Sequence, residues 1–346
     1  MLRKNSRICK TMNTRPATTS DTAIRPRSRV YIAGHRGLVG SALHRHLANA
    51  GYENLLCRTH EELDLTDRAA VWDFFSRERL EHVILAAAKV GGISANNRYP
   101  ADFIGVNLRI QSNVIDACQE FGVKRLLFLG SSCIYPKLCP QPIREEYLMT
   151  GPLEPTNRPY AVAKIAGIEQ CWASNRQYGT KFLAVMPTNL YGPEDNFDLQ
   201  DSHVLPALLR KVAVANAKDE KQVVVWGTGR PRREFLLSDD LAEACSFLLQ
   251  LKDDQFETLL SPDQPPLINV GTGEDISIRD LAKLICDLLG YKGELVFDTT
   301  QPDGTPRKLL DVSRIHALGW RHRTSLKEGI RRTYAAVQEH LISANE

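Results

Sequence analysis

The sequence predicts an α/β fold, a doubly wound parallel sheet with a smaller α/β domain toward the C-terminus. Three observations lead there. Apolar runs at 29–33, 82–85, 125–129 and 181–186 show no polar alternation, so they read as strands buried on both faces. Stretches of helical period separate them, the βαβ alternation of a parallel sheet. The first strand passes into a glycine turn and then a helix, Gly34-His35-Arg36-Gly37-Leu38-Val39-Gly40.

Composition narrows the class of protein. The chain has 346 residues, 43% hydrophobic and 25% charged, the mixture of a globular enzyme with a full core. A net charge of +3 is too small to argue for a nucleic-acid partner. No apolar run approaches the roughly 20 residues of a membrane span. The eight cysteines (Cys9, Cys57, Cys118, Cys133, Cys139, Cys171, Cys245 and Cys286) show no C-x-x-C spacing. They read as reduced thiols of a cytoplasmic protein, with no metal site and no disulfide framework. Residues 1–28 are basic and rich in hydroxyls, carry one acid (Asp21), and lack apolar periodicity. They read as a disordered extension; a transit peptide shares that composition but calls for an amphipathic stripe.

The elements follow in order. After the strand at 29–33, the glycine turn opens a helix that stops near Gly51. Glycines in this context let the backbone approach a dinucleotide pyrophosphate seated on the helix N-terminus. The spacing is G-x-x-G-x-x-G. A strand at 54–57 ends in Arg58-Thr59-His60, where an NAD binder usually carries an acid for the ribose 2′-hydroxyl. Arg36 and Arg58 instead favour the 2′-phosphate of NADP(H), although Glu61 and Glu62 follow closely. Asp64 and Leu65 are placed to meet the adenine; a helix cap is an equal reading for Asp64 or Asp67. A helix from Asp67 to about Arg79, a strand at 82–85 and a long helix from about Pro100 to Phe121 complete the first βαβαβ set.

The strand at 125–129 ends at Gly130-Ser131-Ser132-Cys133, where small hydroxyls can meet a substrate oxygen or simply shape a turn. The helix at 160–178 begins Tyr160-Ala161-Val162-Ala163-Lys164. Residues four apart share a helix face, so Lys164 lies one turn from Tyr160. A nearby ammonium favours a phenolate, and such a phenol can exchange a proton with a carbinol oxygen while hydride moves at its carbon. Beyond the strand at 181–186 the alternation loosens. A helix from about Val204, strands at 223–227 and 235–237, a helix at 239–251, a strand at 267–270, a helix at 277–289, a strand at 294–297 and a helix from Ser325 remain readable. Arg230, Arg232 and Arg233 follow Trp226, a set that suits a phosphorylated ligand or a solvated basic loop.

The Tyr-x-x-x-Lys pair, the glycine turn and the serines preceding the tyrosine together resemble the extended short-chain dehydrogenases/reductases, which fold on a Rossmann sheet. Seven segments narrow the resemblance: GHRGLVG (34–40), AAAKVGGI (86–93), YPADF (99–103), GSSCIYPK (130–137), LEPTN (153–157), YAVAKIAG (160–167) and MPTNLYGP (186–193). In this order they resemble the GDP-L-fucose synthases, over about 29–320. The resemblance implies epimerisation of GDP-4-keto-6-deoxy-D-mannose at C3 and C5, then NADPH reduction of its C4 ketone, by a homodimer. It implies Cys133 as base and His203 as acid for the epimerisation, with Tyr160, Ser131 and Ser132 stabilising the enolate. Tyr160 then protonates the C4 oxygen, and Lys164 holds the nicotinamide ribose and lowers the Tyr160 pKa.

For the cofactor the resemblance adds His60, Lys164, Pro187, Thr188, Asn189, Leu190 and His203 to the glycine turn, Arg58, Asp64 and Leu65. For the GDP-sugar it implies Lys211, Trp226, Arg233 and Asp303. It divides the chain into an NADP-binding domain (29–195 with 234–252) and a GDP-sugar domain (196–233 with 253–340). Two rival readings are a related nucleotide-sugar enzyme and a silent NADPH-binding scaffold. The dehydratases of the superfamily place Thr-Asp-Glu where this chain has Ser132-Cys133-Ile134, which argues against elimination. Tyr160, Lys164 and Cys133 are all present, which argues against a silent member.

Overall fold

The computed structural model describes residues 21–199, 202–301 and 303–343. The first half runs β1 (Arg29–Ala33), α1 (Leu38–Asn49), β2 (Asn54–Leu56), α2 (Arg68–Glu78), β3 (His82–Leu85), α3 (Ile93–Arg98), α4 (Pro100–Glu120), β4 (Arg125–Leu129), α5 (Arg158–Tyr178), β5 (Phe182–Pro187) and β6 (Asn189–Tyr191). The second half runs α6 (Val204–Ala217), β7 (Gln222–Trp226), β8 (Arg232–Leu237), α7 (Ser238–Gln250), α8 (Asp253–Glu257), β9 (Leu267–Val270), β10 (Asp275–Ser277), α9 (Ile278–Leu289), β11 (Glu294–Asp298), β12 (Arg307–Lys308), α10 (Ser313–Ala317) and α11 (Leu326–Ser343). The short elements α3, β6, β10 and α10 have too few residues to show a period, and the sequence reading passes over them.

Six strands form a parallel sheet in the order β2-β1-β3-β4-β5-β9. Because the strands run the same way, the segments after Ala33, Leu85, Leu129, Pro187 and Val270 all emerge at one edge. The order reverses around β1, and ligands of such sheets bind at the carboxyl edge beside that switch. The doubly wound parallel sheet is as the sequence predicts. A second sheet, β10-β8-β12 with β6 also on β8, and a β7–β11 pair make the smaller part. Each part has its own apolar core: Ile32, Ile84, Phe128 and Val185 in the first, Leu209, Val212, Leu281 and Ile330 in the second.

The parts are more interleaved than the expected division. β9 falls within 253–340, yet it is the sixth strand of the first sheet, and Leu267, Ile268 and Val270 belong to the first core. Conversely, β8 reaches into 234–252 but pairs in the second sheet. A four-residue buried strand carries no local mark of which sheet it will join.

Residues 1–20 of the expected disordered extension lie outside the described residues. Residues 21–28 are anchored to the fold through Thr22, Ile24 and Ser28, which corrects that reading for them. Ile24 is buried and its amide donates to Leu249 O at 2.9 Å. The Thr22 hydroxyl donates to Asp253, and Arg125 Nε donates to the Thr22 hydroxyl at 3.0 Å. Asp253 also meets Arg125 Nη2 at 2.8 Å and Lys181 Nζ at 3.0 Å. Arg125 is fully buried, so its charge depends on this carboxylate. Among the described residues no helix is long and apolar enough to cross a membrane.

Burial works to raise the Asp253 carboxyl, but hydrogen bonds from Thr22, Arg125 and Lys181 outweigh it and hold the group well below the usual carboxylate range. A carboxyl depressed on folding stabilises the fold above its unfolded pKa, about 4, and loses that contribution as pH falls toward its folded value. Asp253→Asn is therefore expected to cost about 3 kcal/mol at pH 7, the scale for leaving a buried guanidinium short of its partner. In thermal unfolding, the gap from the parent chain should narrow below about pH 4. Equal gaps at pH 7 and pH 3.5 would exclude the charge of Asp253 as the cause.

Candidate active site

β4 delivers the first part of the site. At its carboxyl end Gly130 lies against the tip of the Met186 side chain, which a Cβ there would oblige to shift. The chain then makes a short 3₁₀ turn, Ser132–Ile134, in which the Cys133 amide donates to Ser131 Oγ at 3.4 Å. Ser131 thus shapes the turn with its oxygen while its hydroxyl proton stays free to donate, and Ser132 and Cys133 are buried behind it. From α5, Lys164 is 3% exposed, and its Nζ donates to Leu129 O at 2.7 Å. Its ammonium lies 5.8 Å from the centre of the Tyr160 ring, which packs edge-on to Phe103.

Burial, and then Cys133, raises the Tyr160 phenol well above its ordinary value. The sequence reading has Lys164 lowering that phenol; here burial dominates, while the amine turns to the Leu129 carbonyl and is itself brought down by burial to about 8. Tyr160 is therefore held as the neutral acid.

Burial pushes the Cys133 thiol up as well, but here Lys308, the Ser131 hydroxyl and Lys164 pull it back. Lys308 is the residue that sequence reasoning missed. It lines one narrow cavity with Ser132, Cys133, Lys137, Glu154 and Asn157. Asn157 Oδ1 is buried there without a hydrogen-bond partner. His203 stands at the N-terminal boundary of α6 and keeps an exposed face. Crowding by the surrounding protein lowers its imidazole, and the charge of Lys308 lowers it further.

The glycine turn forms a cradle at the switch point. Gly34 adopts φ +87°, and a Cβ there would come within 2.7 Å of the Ala87 amide. A side chain on Gly40 would overlap Gly34 O, so α1 can start at Leu38, within the motif and earlier than expected. Gly37 caps α1 without a side chain, and the first turn holds no acid. His35 Nδ1 is buried and unpartnered beside it. Open amides, a positive helix end and no competing carboxylate fit a dinucleotide pyrophosphate.

At the adenosine end Arg36 is exposed, but Arg58 is occupied. Arg58 pairs with Glu78 Oε1 at 3.1 Å, bonds Cys57 O at 2.8 Å and lies over Phe74. Asp67 accepts from the Ala69 and Ala70 amides as the cap of α2, while Asp64 accepts from the Thr66 amide and hydroxyl at 2.8 Å. Leu65 is buried, with its carbonyl taken by Asn113, and the exposed His60 sits 3.9 Å from Asp64. Pro187, Thr188, Asn189 and Leu190 leave β5 at the same edge as Ser131.

The expected GDP-sugar residues gather on the second part of the fold. Trp226 is 58% exposed, with Lys211 Nζ 5.3 Å from its ring centre. Asp303 accepts from the Thr228 amide at 2.6 Å and hydroxyl at 2.8 Å, and its charge acts on Arg233. Arg232 is not part of this group, because it is bonded to Asp275 beside Arg307. Among the described residues no cluster of His, Cys, Asp and Glu is arranged to hold a metal.

The NAD dependent epimerase/dehydratase family model matches residues 30–271. GDP-L-fucose synthase of Escherichia coli is 57% identical over 310 residues, covering 89% of this chain and 96% of that protein. GDP-L-fucose synthase 1 of Arabidopsis thaliana is 56% identical over 307 residues, 89% of this chain and 92% of that protein. Among solved structures, a GDP-L-fucose synthetase from Naegleria fowleri bound to NADP superposes with a TM-score of 0.84 at 28% identity, covering 97% of this chain and 100% of that one. With a phenol–lysine pair, a glycine cradle and a family match over more than two thirds of its length, the chain belongs to the NAD dependent epimerase/dehydratase family, and within it to the group of the GDP-L-fucose synthases.

Proposed function

We propose that the chain converts GDP-4-keto-6-deoxy-D-mannose to GDP-L-fucose by NADPH-dependent 3,5-epimerisation and 4-keto reduction, as a cytoplasmic homodimer. The observation that carries this reading is the Cys133 thiol set beside the neutral Tyr160 phenol and under the charges of Lys308 and Lys164. Reduction of a ketone requires the phenol alone; a second proton carrier beside it suits a substrate whose ketone acidifies the neighbouring C–H bonds. The glycine cradle and Arg36 hold NADPH, which supplies the hydride for C4. Arg58, braced by Glu78, adds its charge from the rim.

Cys133 removes the proton at C3 or C5, and His203 returns one from the other face. The Ser131 and Ser132 hydroxyls and the Tyr160 phenol face the enolate oxygen. Tyr160 then gives its proton to the C4 oxygen. Burial suits it to that step, since an unionised phenol is the form that can donate. Lys164, fixed to Leu129 O, holds the nicotinamide ribose. Trp226, Lys211, Arg233 and Asp303 hold the GDP end. At rest the thiol is raised and the imidazole lowered, so the working pair, thiolate with imidazolium, is a minor form. The long α4 and α5 lie side by side, and the proposed dimer pairs these helices across the flank of the sheet.

The direct test incubates the protein with NADPH and GDP-4-keto-6-deoxymannose in deuterated water. Oxidation of NADPH with deuterium at both C3 and C5 is the expected result, and oxidation without deuterium would remove the epimerase half. Tyr160→Phe should bind NADPH yet reduce at least about 100-fold more slowly, the scale of one general acid. Cys133→Ala should bind cofactor normally and lose deuterium uptake; unchanged uptake would take the base role from Cys133. Arg36→Glu should narrow the NADPH-over-NADH ratio of kcat/KM by more than Arg58→Ala does. A larger effect at Arg58 would show that its ion pair with Glu78 opens to meet the phosphate.

A further inference from the structure

Glu234 belongs to no set of residues named so far, yet it lies between all of them. It is completely buried in β8, next to Arg233. Its carboxylate accepts three backbone amides: Thr272 at 2.6 Å, Gly273 at 2.8 Å and Leu310 at 2.9 Å. Its own carbonyl accepts from Asn189 Nδ2 at 2.8 Å and from the Thr188 hydroxyl at 3.3 Å. One residue thus ties the segment after β5, the loop after β9 and the chain just beyond Lys308. Among the described residues no cation is paired with it. The Thr272 hydroxyl adds a longer bond at 3.4 Å, and a buried anion satisfied by such neutral donors demands that they stay in place.

The tie matters because β12 has only two residues, Arg307 and Lys308, in register with Arg232 and Arg233 of β8. So short a ladder cannot fix its own position. The next residues are held by a short network: Leu310 to Glu234, Leu309 N to Gln141 Oε1 at 2.9 Å, and Ile143 N to Leu309 O at 2.7 Å. We infer that Glu234 is a positioning residue, holding β12 against β8 so that Lys308 stands at Cys133 while Arg233 faces the GDP end. A glutamine could not serve equally, since its amide nitrogen would meet one of three N–H groups as a second donor. Gly271 leaves the space that the carboxylate fills, because a Cβ there would overlap Oε1.

The inference rests on the proposed role of Cys133, but its test needs no substrate. Iodoacetamide alkylates the thiolate, so the pH dependence of alkylation, read at the Cys133 peptide by mass spectrometry in the full-length protein, gives the midpoint of that thiol. The charged and titratable groups around it are Lys308, Lys164 and Tyr160; around Lys308 they are Arg233, Cys139, Glu154 and His203. Removing the charge by Lys308→Met should raise the Cys133 midpoint by about one pH unit, the scale of one nearby charge. Glu234→Gln should raise it in the same direction with Lys308 intact. Gly271→Ala, which displaces the carboxylate without changing its chemistry, should do likewise.

A folded Glu234→Gln or Gly271→Ala protein with an unmoved midpoint would overturn the inference, as would an unmoved midpoint in Lys308→Met. Failure of both Glu234→Gln and Gly271→Ala to fold would assign Glu234 to folding alone, and overturn it too. Absence of deuterium uptake by the parent chain would refute the proposed reaction while leaving this titration to stand or fall separately.

Discussion

Parallel pairing is the constraint from which the site follows. Six strands with one direction bring six loops, the one after β2 included, to a common edge, and every proposed cofactor or proton-transfer group of the first part stands on one of those loops or on the helix that follows. The constraint is reinforced at β4, where the Lys164 amine bonds the last carbonyl of the strand. A buried amine must find an acceptor, and Leu129 O, freed where the strand ends, is within reach of α5. That bond fixes how α5 docks on the sheet and so where Tyr160 points. The phenol's position is therefore a property of the sheet edge, and the helix delivers it there.

Electrostatics then separates two acids that burial alone would treat alike. Both the Tyr160 phenol and the Cys133 thiol are raised by desolvation. Only the thiol has cations, Lys308 and Lys164, pulling it back; the phenol has Cys133 raising it further. The thiol can thus ionise while the phenol keeps its proton. A site that must first take a proton from carbon and later give one to oxygen needs that ordering. Lys308 carries a cost in return, since the same charge disfavours the imidazolium of His203.

Much of this was legible in the sequence, wherever a signal was local. The strands at 29–33, 82–85, 125–129 and 267–270 were readable because strands buried on both faces are uniformly apolar, and α4 and α5 because they are long. The glycine turn was readable because each glycine answers a local steric demand. Lys308 and Glu234 were not. Their meaning arises from β12 pairing with β8, which lies about 75 residues earlier, and a two-residue strand has no period to detect. The ion pair of Arg58 was not legible, because Glu78, twenty positions on, becomes its neighbour only when α2 folds back along β2. Residues 21–28 looked disordered because their partners, Leu249 and Asp253, lie more than 200 residues away.

The interleaving of the two parts has a mechanical consequence. β5 runs in the first sheet and passes directly into β6, which pairs with β8 in the second. The loop leaving β9 in the first sheet is bonded to Glu234 of β8, and β10 just beyond it pairs with β8 as well. The chain thus crosses between the sheets on both sides of β8, so a rigid hinge motion of one part against the other would strain both crossings. Within this stitched region Lys308 pairs with Arg233 of β8 and lines one cavity with Cys133. A substrate reaching from the GDP end to C4 is measured against a nearly fixed span, and hydride transfer depends on that span to within fractions of an ångström. Stitching the two sheets through β8 supplies such a fixed distance, which two domains joined by a single linker would leave to chance.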